Sequence, residues 1–173
     1  MKTFQMKVFK VNPEAQLPEF ATAGSGAFDV RACLAEGGSV VTYNPHNRQV
    51  IVPVKMNRGV PFIRCHPQFR LLIPTGLIFD IPAGNVIKIF PRSGLATKLG
   101  LVLANQTAII DSDYVDETIV IVHNNSDTPV DIVHGDRIAQ GRLEKNLRYA
   151  FEEASEAPER TTRNGGIGST GVE

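Results

Sequence analysis

A nearly all-β chain, a sandwich or barrel of many short strands, is what this sequence predicts, on three observations. Short runs rich in valine, isoleucine and phenylalanine recur throughout, and each is bounded by Gly, Pro, Asn or Asp, the punctuation of strands joined by turns. No long segment before Phe151 shows helical periodicity. Pro53, Pro74, Pro82 and Pro91 would each break a helix where they fall.

Taken in order, the expected strands are Met6 to Val11, Val40 to Tyr43, Gln49 to Val54, Arg70 to Ile73, Val86 to Phe90, Leu101 to Leu103, Thr118 to His123 and Val130 to Val133. His134 to Gln140 alternates polar and apolar side chains as an edge strand would. Two segments depart from this texture. Residues 36–67 carry a Gly-Gly-Ser run, an Asn-Pro-His-Asn turn and a cluster of Arg58, Arg64 and His66, and read as an inserted hairpin. Residues 152–173 open with acidic, helix-tolerant side chains and end too polar and glycine-rich to pack a core alone, so a flexible arm is expected after a domain spanning 1–151.

The 173 residues suit one domain large enough to do without disulfides. Lysine plus arginine total 18 and aspartate plus glutamate total 18, so no global positive field exists to hold a nucleic acid or an anionic membrane. An anionic ligand must be gripped locally. Cys33 and Cys65 lack any CxxC or Cys/His companion, which fits reduced thiols in a cytoplasmic protein and argues against a structural zinc site. The start of the chain lacks a signal-peptide core, and no stretch approaches the roughly 20 apolar residues of a membrane span.

Four segments could carry chemistry. Pro91-Arg92-Ser93-Gly94 follows a strand with a guanidinium, a hydroxyl and a glycine, either a phosphate grip or a plain strand-ending turn. Between Ala104 and Glu117 stand four acids and Tyr114 behind an apolar pair. That density fits a magnesium-bound polyanion with a carboxylate orienting a water, or a solvated acidic turn. The Asp136-Arg137 pair within the third segment is a phosphate-site support or a surface ion pair. Gly165 to Gly171 offers backbone donors and two hydroxyls but no P-loop lysine. His46, His66, His123 and His134 show no metal-ligand spacing, and Ser93 has no base near it in sequence, so a nucleophilic serine is disfavoured.

In this order the segments resemble the five motifs of the homotrimeric dUTP diphosphatases (dUTPases): Gly24 to Ala32, Pro91 to Ala96, Ala108 to Tyr114, Gly135 to Gln140, and Gly165 to Gly171. The resemblance runs from Ala23 to the C-terminus and implies a jelly-roll subunit, a homotrimer, and active sites shared between chains, with the tail closing over a neighbour's site. It implies hydrolysis of dUTP to dUMP and pyrophosphate with Mg2+ held by the substrate phosphates and water, which keeps uracil out of DNA and supplies dUMP for thymidylate synthesis.

By the same resemblance Asp111 orients the attacking water. Asn105, with the backbone of Ala108, Ile109 and Ile110, reads uracil as a hairpin, and Tyr114 lies against the sugar. Arg92, Ser93, Gly94 and Gln140 hold phosphates, supported by Asp29, Asp136 and Arg137. Arg163, Gly168, Ser169 and Thr170 clamp the γ-phosphate, with Ile167 over the base.

The sequence departs from the family's pattern in places. Ile167 stands where an aromatic usually stacks on uracil, and Arg163 lies one residue short of the usual spacing to Gly165-Gly166, with Arg160 as a substitute. Asp116 and Ala108 occupy positions where glycine is usual. Two alternatives stay open. One is dCTP deaminase, disfavoured because Thr118 to His123 lacks the acid that family carries there. The other is a dUTPase-like module that binds a protein partner through residues 36–67, with weak turnover or none.

Overall fold

The computed structural model describes residues 5–159. Among them the chain forms fifteen strands and one short helix. In chain order the strands are β1 (Lys7–Lys10), β2 (Glu19–Phe20), β3 (Phe28–Arg31), β4 (Ser39–Tyr43), β5 (Gln49–Pro53), β6 (Lys55–Asn57), β7 (Val60–Cys65), β8 (Arg70–Pro74), β9 (Leu77–Asp80) and β10 (Asn85–Phe90). The helix α1 (Ser93–Leu99) follows, then β11 (Leu101–Leu103), β12 (Ala108–Ile110), β13 (Ile119–Asn124), β14 (Val130–Val133) and β15 (Arg137–Lys145).

Every strand pairing is antiparallel. One five-stranded sheet runs β12-β10-β15-β3-β2 and a second runs β11-β13-β8-β4-β5, with a three-stranded sheet β14-β7-β6 and the pair β1-β9 beside them. The expected sandwich of short strands is present and belongs to the jelly-roll type, but the sheets do not close into a barrel. Closure would need β2 or β5, each an outer strand, to find a further partner within the chain.

Between the sheets, Ile63, Leu71, Ile73, Leu77, Ile87, Ile89 and Ile132 are each at most 2% exposed. Their burial is worth about 1.5–3 kcal/mol apiece. Both cysteines are buried and unpaired, and burial pushes the Cys65 thiol up to about 12, so at neutral pH it packs as a small apolar group. Among the described residues no helix is long and apolar enough to cross a membrane.

Residues 134–140 were expected to form an edge strand, and the structure overturns this. β15 lies in the interior of its sheet, hydrogen-bonded to β10 on one side and β3 on the other. The register shifts between Arg137 and Ala139, so Ile138 and Ala139 are both buried in succession. That bulge breaks the simple alternation on which the edge reading depended.

The Arg92-Ser93-Gly94 turn opens α1 rather than an irregular loop. Pro91 has no N–H to continue the β10 ladder, and Gly100 closes the helix with φ +66°. Seven residues with a glycine at the second helical position give no readable helical period. Residues 36–67 form two successive hairpins, β4-β5 and β6-β7, and each supplies a sheet interior: β4 sits between β8 and β5, and β7 between β14 and β6. Residues 151–159 are exposed and without regular structure.

Gly141 on β15 faces Phe28 of β3 and Ile89 of β10 so closely that an added Cβ would overlap the Phe28 ring and stand 3.2 Å from Ile89 Cδ1. Both neighbours are core residues, 5% and 1% exposed. Gly141→Ala should therefore cost about 2 kcal/mol in urea unfolding, the usual size of overpacking. A loss below about 0.5 kcal/mol would mean the ring swings aside at no cost.

Candidate active site

The site is built on one row across the β10-β15-β3 sheet. Gln140 of β15 lies opposite Phe90 of β10 and opposite Asp29 of β3. Its side-chain amide donates to the Pro91 carbonyl at 2.9 Å, which fixes the chain where it leaves β10.

Asp29 joins three of the predicted motifs. One carboxylate oxygen lies 3.1 Å from Arg92 Nε and the other 3.2 Å from Arg137 Nη1, while Arg92 Nη1 donates to the Arg137 carbonyl at 3.3 Å. The Asp29 side chain is only 14% exposed, so this link is shielded from water on most sides. Two guanidinium groups meet a single carboxylate, which among the described residues leaves one positive charge in excess beside the cleft that Arg92 lines. That is the electrostatic condition for holding a phosphate chain.

The cleft, of about 290 Å3, is walled by Asp29, Arg92, Ser93, Gly94 and Gln140, together with Ala21, Ser25, Gly26 and Ala27. The N–H groups of Leu95 and Ala96 both donate to the Arg92 carbonyl, so those of Ser93 and Gly94 lie ahead of the helical ladder. A larger hollow of about 690 Å3 between Glu14, Glu36, Met56 and Val60 carries two carboxylates and no Arg or Lys, the wrong balance for a triphosphate.

Asp136 acts at one remove. Its carboxylate accepts the Val133 N–H at 2.8 Å and its carbonyl accepts the Ala32 N–H at 2.9 Å, which shapes the turn into β15. Arg31 donates to the Gly135 carbonyl at 2.8 Å in the same turn, and Gly135 takes φ +85° there. Ser25 to Ala27 also wall the cleft, which their residue types alone do not signal. Their only signal was position inside the first motif.

The third motif lies elsewhere on the chain. β11 pairs with β13 while β12 pairs with β10, so residues 104–107 turn a corner between two sheets, with Gln106 at φ +57°. The uracil-reading hairpin expected here is therefore a corner: Asn105 stands at its apex, and Ala108, Ile109 and Ile110 form an outer strand of the first sheet. Ile109 is 59% exposed.

Asp111 follows directly, exposed, its carbonyl accepting the Tyr114 N–H at 3.1 Å. Ile110 is paired with Ile87, five residues before Arg92. Continuing that register puts Asp111 opposite Val86, one residue further from Arg92, and at about 3.3 Å per residue this sets Asp111 roughly 20 Å along the strand from the Arg92 turn of the same chain. One chain thus brings Asp29, Arg92, Ser93, Gly94, Arg137 and Gln140 together and holds Asn105, Asp111 and Tyr114 apart from them. Arg163, Ile167, Gly168, Ser169 and Thr170, with Arg160, lie outside the described residues.

Comparison with known proteins points to the same family as the sequence resemblance. A family profile described as dUTPase matches residues 62–171. The deoxyuridine 5'-triphosphate nucleotidohydrolase of Brucella melitensis biotype 2 is 37% identical over 156 residues, 90% of this chain and 85% of the relative. Two solved structures share the fold. A Staphylococcus bacteriophage 80alpha dUTPase mutant with dUpNHpp superposes with TM-score 0.74 at 20% identity, over 98% of this chain and 100% of that one. A mutant dUTPase of phage phi11 of S. aureus, described with a coordinated structural Mg(II) ion, superposes with TM-score 0.66 at 20% identity, over 88% and 98%. With the family profile matched over residues 62–171 and a relative 37% identical over 90% of this chain, this chain belongs to the dUTPase family.

Proposed function

We propose that this protein is a dUTP diphosphatase: it cleaves dUTP with water to dUMP and pyrophosphate. The observation that carries the reading is the cleft where Arg92, Ser93, Gly94 and Gln140 come together, with Arg92 held by Asp29 and Asp29 held in turn by Arg137. The phosphates lie in that cleft, held by the Arg92 fork, the Ser93 hydroxyl and the first N–H groups of α1. Asp111 accepts a proton from the water that attacks the α-phosphorus, and pyrophosphate leaves on the opposite side. Asn105 and the backbone of residues 108–110 read the uracil edge, and Tyr114 closes the pocket against the sugar. Arg163, Ser169 and Thr170 secure the γ-phosphate and Ile167 covers the base when residues 152–173 fold over the site.

The donor set fits Mg2+ that arrives on the triphosphate. Among the described residues no three His, Cys, Asp or Glu side chains cluster closely enough to hold a metal, whereas Arg92 lines the cleft beside Ser93 and Gly94, where phosphate oxygens would sit. When bound, the ion neutralises phosphate charge as the bond to the leaving pyrophosphate breaks.

The working unit is a homotrimer. The roughly 20 Å between Asp111 and the Arg92 turn is spanned when the two half-sites come from neighbouring chains. Leu147, Tyr149 and Phe151, exposed at 79%, 74% and 91%, alternate along the segment after β15 and supply apolar surface for a neighbour to cover. The buried free thiols suit the cytoplasm.

Pyrophosphate release from dUTP, dCTP, TTP and UTP with Mg2+ tests the reading. Turnover should favour dUTP by at least about a hundredfold over dCTP and TTP, because a site whose buried polar groups pair with one base leaves them unpaired with another. Equal rates on dCTP or TTP would sink the uracil assignment, and ammonia release from dCTP would indicate the deaminase instead.

A further inference from the structure

Tyr114 is not held by packing alone. It is 40% exposed, and its hydroxyl donates to the Glu117 carbonyl at 3.0 Å. The Glu117 side chain turns inward, where a carboxylate oxygen accepts the Gly76 N–H at 2.6 Å, a bond spanning 41 residues.

Gly76 is a fixed point. It is buried at φ +69°, and an added Cβ would meet Ala15 Cβ at 2.6 Å and Cys33 Sγ at 2.8 Å. Its carbonyl accepts the Val11 N–H at 2.9 Å. The next residue along, Thr118, is tied to the same turn from both ends: its N–H donates to the Leu77 carbonyl at 2.8 Å and its carbonyl accepts the Thr75 hydroxyl at 2.7 Å. The chain is thus anchored and buried at Thr118, while Asp111 and residues 113–116 are exposed, with Glu117 at the boundary.

We propose that Glu117 is the positioning residue that sets the sugar-facing wall of the site: its carboxylate anchors the 111–117 loop to Gly76, and its carbonyl fixes the Tyr114 ring through the hydroxyl. This rests on the reading above that Tyr114 lies against the deoxyribose. A ring held at its far end cannot swing back to admit a 2′-hydroxyl, whereas an untethered ring can. Two functions meet in one residue because the side chain and the carbonyl of Glu117 point to opposite anchors. Asp113 and Asp116 are exposed and make no such bond among the described residues.

The test is the ratio of kcat/KM for dUTP to that for UTP, measured in the wild type, Glu117→Ala, Glu117→Gln and Tyr114→Phe, with thermal unfolding of each. Glu117→Ala and Tyr114→Phe should each lower the ratio roughly tenfold, the scale of discrimination set by one small group in a pocket, chiefly through a lower KM for UTP. Glu117→Gln keeps an oxygen of the same reach for the Gly76 N–H and should hold the ratio within about threefold of wild type.

A merely structural Glu117 would lower the Tm and depress both substrates alike, leaving the ratio where it was. An unchanged ratio in either Glu117→Ala or Tyr114→Phe overturns the proposal, as does a loss in Glu117→Gln equal to that in Glu117→Ala. Should Glu117→Ala fail to fold, Tyr114→Phe and Glu117→Gln decide alone. If the wild type turns over neither nucleotide, the diphosphatase reading itself has failed, a result distinct from every outcome above.

Discussion

Asp111→Asn should lower kcat for dUTP by about a hundred- to ten-thousand-fold, the range for loss of a positioned proton acceptor. The substitution is clean because the side chain carries no structural duty. Among the described residues the Asp111 carboxylate enters no hydrogen bond or ion pair, and only its carbonyl serves the turn to Tyr114. Asparagine preserves the shape and the turn while removing the charge and the ability to accept a proton. Unfolding should therefore be unaltered within about 0.5 kcal/mol, as for a surface change away from any bond.

KM should move little, since the phosphates are held by Arg92, Ser93 and Gly94 in the cleft rather than by this carboxylate. A variant with near wild-type kcat would reject the water-orienting role. One with normal kcat and a raised KM would make Asp111 a binding residue.

The parts of this molecule that the sequence disclosed were contiguous. Pro91 to Ala96 and Ala108 to Tyr114 are readable because each packs its groups into a few residues, and eight of the strands are readable because valine and isoleucine stand between turn residues. What escaped depended on partners far along the chain. β15 looked like an edge because the bulge after Arg137 hides its two-sided burial. β3 escaped because it lies inside a motif read for its chemistry, and β7 because Pro61 and Arg64 interrupt its apolar run. Helix α1 is too short for a period. The Glu117 bond to Gly76 joins residues whose spacing carries no pattern at all. Chemistry written locally was legible; support supplied across the sheets was not.

Asp29 shows how much rests on that support. Asp29→Ala should reduce kcat/KM for dUTP by about a hundredfold although the carboxylate, being negative, repels the substrate it helps to bind. Its role is to organise two cations. With Asp29 present, Arg92 and Arg137 share one carboxylate at 3.1 and 3.2 Å, which holds Arg92 in the wall of the cleft. Without it, two guanidinium groups stand close together with only the Arg137 carbonyl between them. Their repulsion drives Arg92, whose side chain is 26% exposed, toward solvent and out of register with Ser93 and Gly94.

Removing one partner from a largely buried charge pair costs about 2–5 kcal/mol, and a hundredfold corresponds to about 2.7 kcal/mol. If simple charge attraction governed binding, the opposite would be seen: removing a negative charge would lower KM. Steady-state kinetics on Asp29→Ala and Asp29→Asn separates the two accounts. Asparagine retains one oxygen for a single guanidinium and should fall between wild type and alanine, whereas a lowered KM in both variants would show that the arginines orient themselves without Asp29.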